Sequence, residues 1–336
     1  MKNVRQTTNT GLLIGTLSEK NTEIKQIELT KDDNTKFKCN AVQGNIVVST
    51  VNGDFNLRVN CPECKKDGTK TKLYANFETL HNSYVSAVEA AKDKSLTPSI
   101  IGATVGLSCW DRYNQNSGKM VSSPQIRLRV VNRENSDAES QTDFSLEGVI
   151  RSIKPEMTIP KSDTEEAEET GRLLVEFITI NFNSEAEPYS LIVPEDLAEA
   201  FVNGWTDDEG TVVNGYAVGD TCCLGVELVM RHVGDEKKKS AGFGRKAKVA
   251  EGFDVLELVV IGGEPAYTDD TEDEKKKPFT PEVMKELMNE RKMKLEKIEK
   301  DAKENKDSGS SQKSSGKGLG GRKPNVNMAD MGDAPF

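Results

Sequence analysis

Histidine is scarce in this sequence, and with it the side-chain combinations from which many active sites are built. His81 and His232 are the only two histidines in 336 residues, and neither has a nucleophile motif beside it. The phosphate-binding pattern G-x-x-x-x-G-K-[S/T] does not occur. The acidic segment 163–169 lacks the ligand spacing of a calcium loop. These absences predict a binding protein, not an enzyme.

Long apolar runs are also missing. The sequence has no run long enough to span a bilayer, and its first residues have too short an apolar core for a signal peptide. The six cysteines lack the spacing of a disulfide framework, and Cys222 and Cys223 are adjacent. This usage is typical of reduced thiols and predicts a cytoplasmic protein.

The composition is polar and acidic overall. Hydrophobic residues make up 35% of the chain and charged residues 30%, with a mean hydropathy of −0.58. That is too polar for one compact globule of this length, so we expect part of the chain to be unstructured. The net charge of −10 does not exclude a nucleic-acid binder, because what matters is whether basic residues cluster on one surface.

The pattern of elements indicates a mainly β protein in which one small barrel occurs twice. Alternating segments, turn signals and one helical segment recur in the order strand, strand, strand, helix, strand, strand, which is that of the OB-fold. In the first copy we predict strands at 37–51, 55–60, 73–77, 103–113 and 126–131, with a helix at 81–92. In the second copy we predict strands at 144–153, 172–182, 189–193, 220–232 and 253–261, with a helix at 194–201.

The two fourth strands support a duplication. Gly106 and Arg112 of the first copy have the same spacing as Gly225 and Arg231 of the second. Two unrelated β domains, or one larger sandwich, are the alternatives.

The predicted fold is therefore two tandem OB-fold barrels followed by a charged helix and a disordered tail with an acidic tip. The charged helix, 281–305, has a partial apolar stripe interrupted at Arg291, which predicts a free or loosely docked spacer. The predicted domains are an N-terminal arm or hairpin 1–31, a first barrel 32–140, a second barrel 141–263, an acidic segment and charged helix 264–306, and a flexible linker with the tip 307–336.

The strongest candidate site is a basic loop in the second copy, between its fourth and fifth strands. Residues 237–248 contain six basic residues, no acid and one aromatic residue flanked by glycines. Cations that follow phosphates and a ring that stacks on a base are the features that hold single-stranded nucleic acid. We therefore predict that Phe243 stacks on a base. The predicted phosphate contacts are Lys237, Lys238, Lys239, Arg245, Lys246 and Lys248. The alternatives are a solubilising loop or a docking patch for the tail.

The first copy contributes further nucleic-acid candidates. Trp110 and Tyr113 lie on one predicted strand, but their spacing places them on opposite faces, so at most one is expected to face nucleic acid. The other candidates are Arg112, its counterpart Arg231, Lys119, Lys65 and Lys66. For the arginines, salt bridges are the alternative.

Cys61 and Cys64 form a single C-P-E-C knuckle. A closed structural zinc site needs four ligands, and the sequence holds no second C-x-x-C pair. A zinc site at Cys61 and Cys64 is one interpretation, and a tight hairpin with two free thiols is the other. No other cofactor is implied.

The last nine residues, 328–336, read M-A-D-M-G-D-A-P-F and follow a Ser/Gly/Lys-rich segment. A shallow pocket with a basic rim on a partner protein would take the terminal ring and the acids. The predicted partner-binding residues are Asp330, Asp333, Pro335 and Phe336. This ending resembles the tip of bacterial and phage single-stranded DNA-binding proteins, which close on acids followed by Pro-Phe, although the acids here are fewer and more widely spaced than in the usual D-D-I-P-F.

The resemblance implies a protein that coats and protects single-stranded DNA during replication or recombination and recruits replication proteins through its tip. It also implies a phage origin and action in the cytoplasm of the host bacterium. Two other functions stay open at this point, an OB-type scaffold that binds protein and an RNA-binding factor.

Overall fold

The computed structural model describes residues 4–31, 33–158, 166–233, 253–271 and 273–308. Within these ranges the chain is mainly β, with twelve strands and four α-helices. Ten strands join in one sheet that closes into small barrels. The predicted class, mainly β with OB-type barrels and a C-terminal helix, is confirmed. None of the described helices has both the length and the apolar character needed to cross a membrane.

Five strands and two short helices form the first barrel. In chain order they are β1 (Asn9–Thr30), β2 (Lys36–Thr50), β3 (Gly53–Pro62), α1 (Tyr74–Ser83), α2 (Ala87–Lys92), β4 (Ile100–Asn114) and β5 (Lys119–Arg133). β1 pairs antiparallel with β2 and with β4, β2 pairs with β3, and β4 pairs with β5. Because β3 also lies against β5, the ring of strands is that of an OB barrel.

The second barrel repeats this arrangement. Its elements are β6 (Gln141–Met157), β7 (Glu169–Ile180), β8 (Ala186–Val193), α3 (Glu195–Asn203), the two-residue strands β9 (Trp205–Thr206) and β10 (Val212–Val213), β11 (Thr221–Val233) and β12 (Phe253–Gly263). β6 pairs with β7 and β11, β7 with β8, and β11 with β12. A parallel contact between Val259 of β12 and Ile192 of β8 closes the ring.

The strands form because their apolar residues alternate. In β3, Phe55, Leu57, Val59 and Cys61 are buried, and the residues between them are not. This period of two places one face of the strand in the core, and full burial of a large apolar side chain stabilises the fold by about 1.5–3 kcal/mol. Gly44 of β2 has a φ of +139°, and a Cβ there would lie 2.0 Å from the carbonyl oxygen of Asn21. The strand therefore needs glycine where it bends.

The predicted start of the first barrel was wrong. Residues 9–30, expected as an arm or hairpin, form the single strand β1, which supplies the first strand of the barrel. Residues 73–77, expected as a strand, instead begin α1, because Tyr74, Phe77 and Leu80 form one buried helical face. The predicted helix 81–92 is divided, since α1 ends at Ser83 and Ser86 caps the new helix α2.

The two barrels share contacts at several places. Residues Asn9–Ile14 of β1 pair with Leu146–Gln141 of β6, so that one sheet runs through both barrels. The turn between β2 and β3 rests on β11, where the backbone N–H of Met230 donates to the Asn52 carbonyl at 2.8 Å. The thiol of Cys109 in β4 donates to the Pro188 carbonyl of β8 at 3.1 Å.

The last described element is the helix α4 (Pro281–Ser308). It is docked, and the prediction of a free or loosely docked spacer was wrong. Met284 and Leu287 are buried against Val149 and Ile178 of the second barrel. Arg291, which seemed to interrupt the apolar stripe, is itself 8% exposed and continues the buried face through polar contacts.

Candidate nucleic-acid interface

β4 and β5 extend beyond the first barrel as a two-stranded projection. The pairing of β4 with β1 ends at Val105, whereas β4 and β5 stay paired from Gly106 and Arg127 out to Asn114 and Lys119. We call residues 106–114 and 119–127 the β4–β5 ribbon. It is the loop between the fourth and fifth strands of the barrel, one of the two loops that flank the ligand face of an OB-fold.

The outer face of this ribbon is aromatic and basic. Trp110 is 46% exposed, and the guanidinium carbon of Arg112 lies 4.4 Å from the centroid of its ring. This cation–π contact holds a flat indole and a positive charge side by side at the surface. A large aromatic side chain exposed to this extent beside a cation is a suitable platform for a base and its phosphate.

Two more arginines lie on the same face, nearer the barrel. Arg127 donates from Nε to the hydroxyl of Ser108 at 2.8 Å, and Arg129 donates from Nη2 to the Asn9 carbonyl at 2.8 Å. Both partners are neutral, so these bonds orient the guanidinium groups without cancelling their charge. Trp110, Arg112, Arg127 and Arg129 are called the outer cluster below.

Tyr113 lies on the inner face of the ribbon, opposite Trp110, as the spacing of the two residues requires. The ammonium group of Lys303 in α4 is 5.6 Å from the centroid of its ring. Of the two aromatic residues predicted as candidates to face nucleic acid, Trp110 is therefore the one that belongs to the outer cluster. Lys119 is exposed at the turn of the ribbon.

The inner face carries a polar network centred on a buried ion pair. Arg291 of α4 donates from Nη2 to a carboxylate oxygen of Asp111 at 2.6 Å, and each of the two side chains is 8% exposed. It also donates to the hydroxyl of Ser122 at 3.2 Å and, from Nη1, to the Ala186 carbonyl of β8 at 3.0 Å. Burial raises the pKa of the nearby Cys109 thiol to about 12, so this cysteine stays protonated and structural.

A cleft separates the ribbon from the second barrel. Its volume is about 370 Å³, enough for a small planar group, and serine, lysine and glutamate supply five of its eight lining residues. Its lining residues are Ser122, Ser152, Lys154, Leu174, Glu176, Pro188, Tyr189 and Ser190. Ser122 comes from the first barrel and the others come from β6, β7 and β8, so both barrels build the cleft.

Arg231, predicted as the counterpart of Arg112, is in the fourth strand of the second barrel as expected but has a different environment. Its Nη2 forms a salt bridge with Glu257 of β12 at 2.8 Å. A paired guanidinium offers less charge to a phosphate than one bound to neutral groups. Nearby, burial opposes the ionisation of Glu156, but hydrogen bonds from Arg172 and Thr170 outweigh it and lower the pKa of this carboxyl.

Lys65 and Lys66 are exposed on the loop that follows β3. The structure brings this loop to the β1–β2 hairpin, since a Cβ at Gly68 would lie 3.7 Å from Cε of Lys31. The lysines of this hairpin, missed from the sequence, are Lys31, Lys36 and Lys38. A prediction of residues 9–30 as a strand followed by a turn at Asp33-Asn34 would have placed these three lysines on a hairpin.

The knuckle cysteines do not gather further ligands. Cys61 is buried in β3, and burial raises the pKa of its thiol to about 11. Desolvation, and then the neighbouring Cys39, raise the pKa of Cys64. Within the described ranges, no three His, Cys, Asp or Glu side chains are grouped as metal ligands.

The other predicted site residues lie outside the described residues. Those of the basic loop are Lys237, Lys238, Lys239, Phe243, Arg245, Lys246 and Lys248. Those of the tip are Asp330, Asp333, Pro335 and Phe336.

A family model named YorF matches residues 12–301, which is most of the chain. The chain belongs to the YorF family. Comparison of this YorF-family chain with curated proteins gives no match.

Among solved structures, it is similar to the wild-type single-stranded DNA binding protein from Thermus aquaticus, at 11% identity and a TM-score of 0.38 over 82% of this chain and 100% of that one. It is also similar to a deletion mutant of that protein, at 12% identity and a TM-score of 0.39 over 80% and 99% of the two chains.

Proposed function

We propose that this YorF-family protein binds single-stranded DNA. The observation that carries the proposal is the outer cluster, an exposed Trp110 packed against Arg112 on a ribbon that projects from an OB-type barrel. Stacking of one base on an aromatic ring contributes about 1–3 kcal/mol to binding and tolerates any base, because every base has a π-face. The arginines of the cluster supply the phosphate contacts that dominate affinity for a polyanion.

The second barrel supplies the continuation of the strand's path. The basic loop 237–248 connects β11 to β12, which is the position that the β4–β5 ribbon has in the first barrel. We propose that its six cations contact phosphates and that Phe243 stacks on a base. The cleft, lined by Ser122 on the inner face of the ribbon and by residues of β6, β7 and β8, is a further polar surface between the two barrels.

The lysines at the β1–β2 hairpin and the loop after β3 extend the basic surface of the first barrel. Lys36 is paired with Glu28 at 2.7 Å. Lys38, Lys65 and Lys66 are exposed. The loop 62–72 carries four lysines and two acids, and this local excess of positive charge on an acidic protein supports capture of a polyanion.

The proposed biological role is to coat and protect single-stranded DNA during replication or recombination, including that of phage DNA, in the bacterial cytoplasm. The tip, with Asp330, Asp333, Pro335 and Phe336, would recruit replication proteins by the mode described above. The proposed activity is binding without catalysis. It leaves protein-scaffold and RNA-binding functions as outcomes of the test.

The test is a fluorescence titration of labelled oligo(dT) with the full chain, with duplex DNA and RNA as competitors. Trp110→Ala is expected to weaken binding by about 1–3 kcal/mol, or about 5- to 150-fold. Val212→Ala is the control, because Val212 is also an exposed apolar residue, at 77%, but lies on β10 of the second barrel and not on the ribbon. Failure to bind oligo(dT) in dilute buffer would refute the proposal, and stronger competition by RNA would favour an RNA-binding factor.

A further inference from the structure

We propose that Arg291 is a positioning residue for nucleic-acid binding, because it holds the β4–β5 ribbon at the angle at which Trp110 and Arg112 face the strand. The inference rests on the proposed function. Arg291 lies on α4, and the outer cluster lies on the opposite face of the ribbon, so the residue would act without touching DNA.

The ribbon needs support from outside itself. Beyond Val105, β4 has left its pairing with β1, and the ribbon continues as two strands. A two-stranded hairpin is at most marginally stable in water without a third strand or a helix packed against it. The orientation of Trp110 therefore depends on what packs beneath the ribbon.

Arg291 forms hydrogen bonds to both strands of the ribbon, at positions next to Trp110. Asp111 stands between Trp110 and Arg112 in β4, and its register partner in β5 is Ser122. One guanidinium group donates to both side chains, and Ser122 donates in turn to Asp111 at 2.6 Å. Neighbouring residues of a strand point to opposite faces. Arg291, bound to Asp111 and Ser122 on the inner face, therefore fixes the orientation of Trp110 and Arg112 on the outer face. The contacts of Arg291 with Asp111 and Ser122 are called the clamp below.

The same guanidinium also joins the ribbon to the second barrel. Its Nη1 donates to the Ala186 carbonyl at the start of β8, and α4 is anchored there by Met284 and Leu287. The Arg291 side chain thus links the ribbon of the first barrel directly to the second barrel. Arg291 would thereby fix the spacing between the outer cluster and the cleft.

The test is a double-mutant cycle between Trp110 and the clamp. Arg291→Met is combined with Asp111→Asn, so that no buried charge is left without a partner. Trp110→Ala is expected to weaken oligo(dT) binding on the order of tenfold in the parent protein but by no more than about twofold in the double variant. An equal fold-loss in both backgrounds would overturn the proposal. Arg291→Lys, which keeps the charge but loses the fork, gives a milder second variant if the double variant does not fold.

A measurement without DNA separates this inference from the proposed function. In a Trp205→Phe background, time-resolved fluorescence anisotropy reports the local motion of Trp110 alone. Removal of the clamp is expected to add a fast decay component, whereas Lys294→Met, which removes an exposed α4 pair with Glu185, is expected to leave the decay unchanged. If oligo(dT) does not bind at all, the proposed function fails, and the anisotropy still decides whether Arg291 orders the ribbon. An unchanged decay in the clamp variant would overturn the inference.

Discussion

The salt dependence of DNA binding offers a sharp test of the outer cluster. Each phosphate neutralised on a single strand contributes about −0.7 to the slope of log K against log salt concentration. If Arg112, Arg127 and Arg129 each contact one phosphate, together they contribute a slope of about −2.1, so that a fourfold rise in salt weakens binding about 20-fold. Arg112→Ala should reduce that contribution to about −1.4, equivalent to about sevenfold over the same range.

The structure provides a control for this experiment. Arg112 packs on the uncharged ring of Trp110, whereas Arg231 is already paired with the Glu257 carboxylate. Arg231→Ala should therefore change the slope less than Arg112→Ala. Both slopes are measured by titration of labelled oligo(dT) between 50 and 200 mM salt, a range of about fourfold. An unchanged slope in Arg112→Ala, or a larger change in Arg231→Ala, would refute the assignment of phosphate contacts.

Three further predictions concern other parts of the chain. The buried ammonium group of Lys20 donates to two backbone carbonyl groups at the C-terminal end of α1. Lys20→Met should therefore lower the free energy of unfolding, measured by urea titration, by about 1.5–3 kcal/mol. Lys25→Met, at an exposed lysine, should not lower it. The pKa of Glu156 is lowered from its ordinary value of 4.5, so its ion pair with Arg172 stabilises the fold above that pH and loses this effect as the pH falls. The stability advantage of the parent over Glu156→Gln should therefore shrink between pH 7 and pH 3 in thermal melts, and a pH-independent difference would contradict the argument. Reversal of the three lysines at 237–239 to glutamate should abolish oligo(dT) binding while the melting temperature stays close to that of the parent; retained binding would remove the basic loop from the site.

The second barrel was predictable from sequence because each of its strands carries a local signal. Residues 172–182 and 253–261 are rich in β-branched and apolar residues, and Pro194 followed by two acids marks the start of α3. These signals depend on neighbouring residues only. The structure accordingly has strands and a helix at the expected places.

The first barrel was less predictable because its signals are ambiguous over short windows. The five residues Leu73–Phe77 have the apolar content of a strand, and their helical character becomes visible only when Leu80 is included. The distal half of β1 mixes charged and apolar residues since it is paired with β2 outside the core. Long-range pairing, not local preference, determines that segment.

The candidate site was only partly visible in the sequence. Trp110 and Arg112 stand out by residue type, and their spacing places them on one face of a strand. The role of Arg291 was hidden, because a basic residue in a charged helix is usually solvated and its partner Asp111 is 180 positions away. Only the folded chain brings the two together.

The pairing of β1 with β6 has a consequence for how the two barrels are held together. The direct covalent connection between the barrels is the short segment 134–140. The barrels are also joined by the backbone hydrogen bonds between β1 and β6 and by α4, which contacts β4 of the first barrel and β8 of the second. A protease cut in that segment would sever the chain without parting the halves. The two barrels are therefore held together as one unit, and under the proposed function the length of DNA strand that they span would be set by the fold, not by a tether.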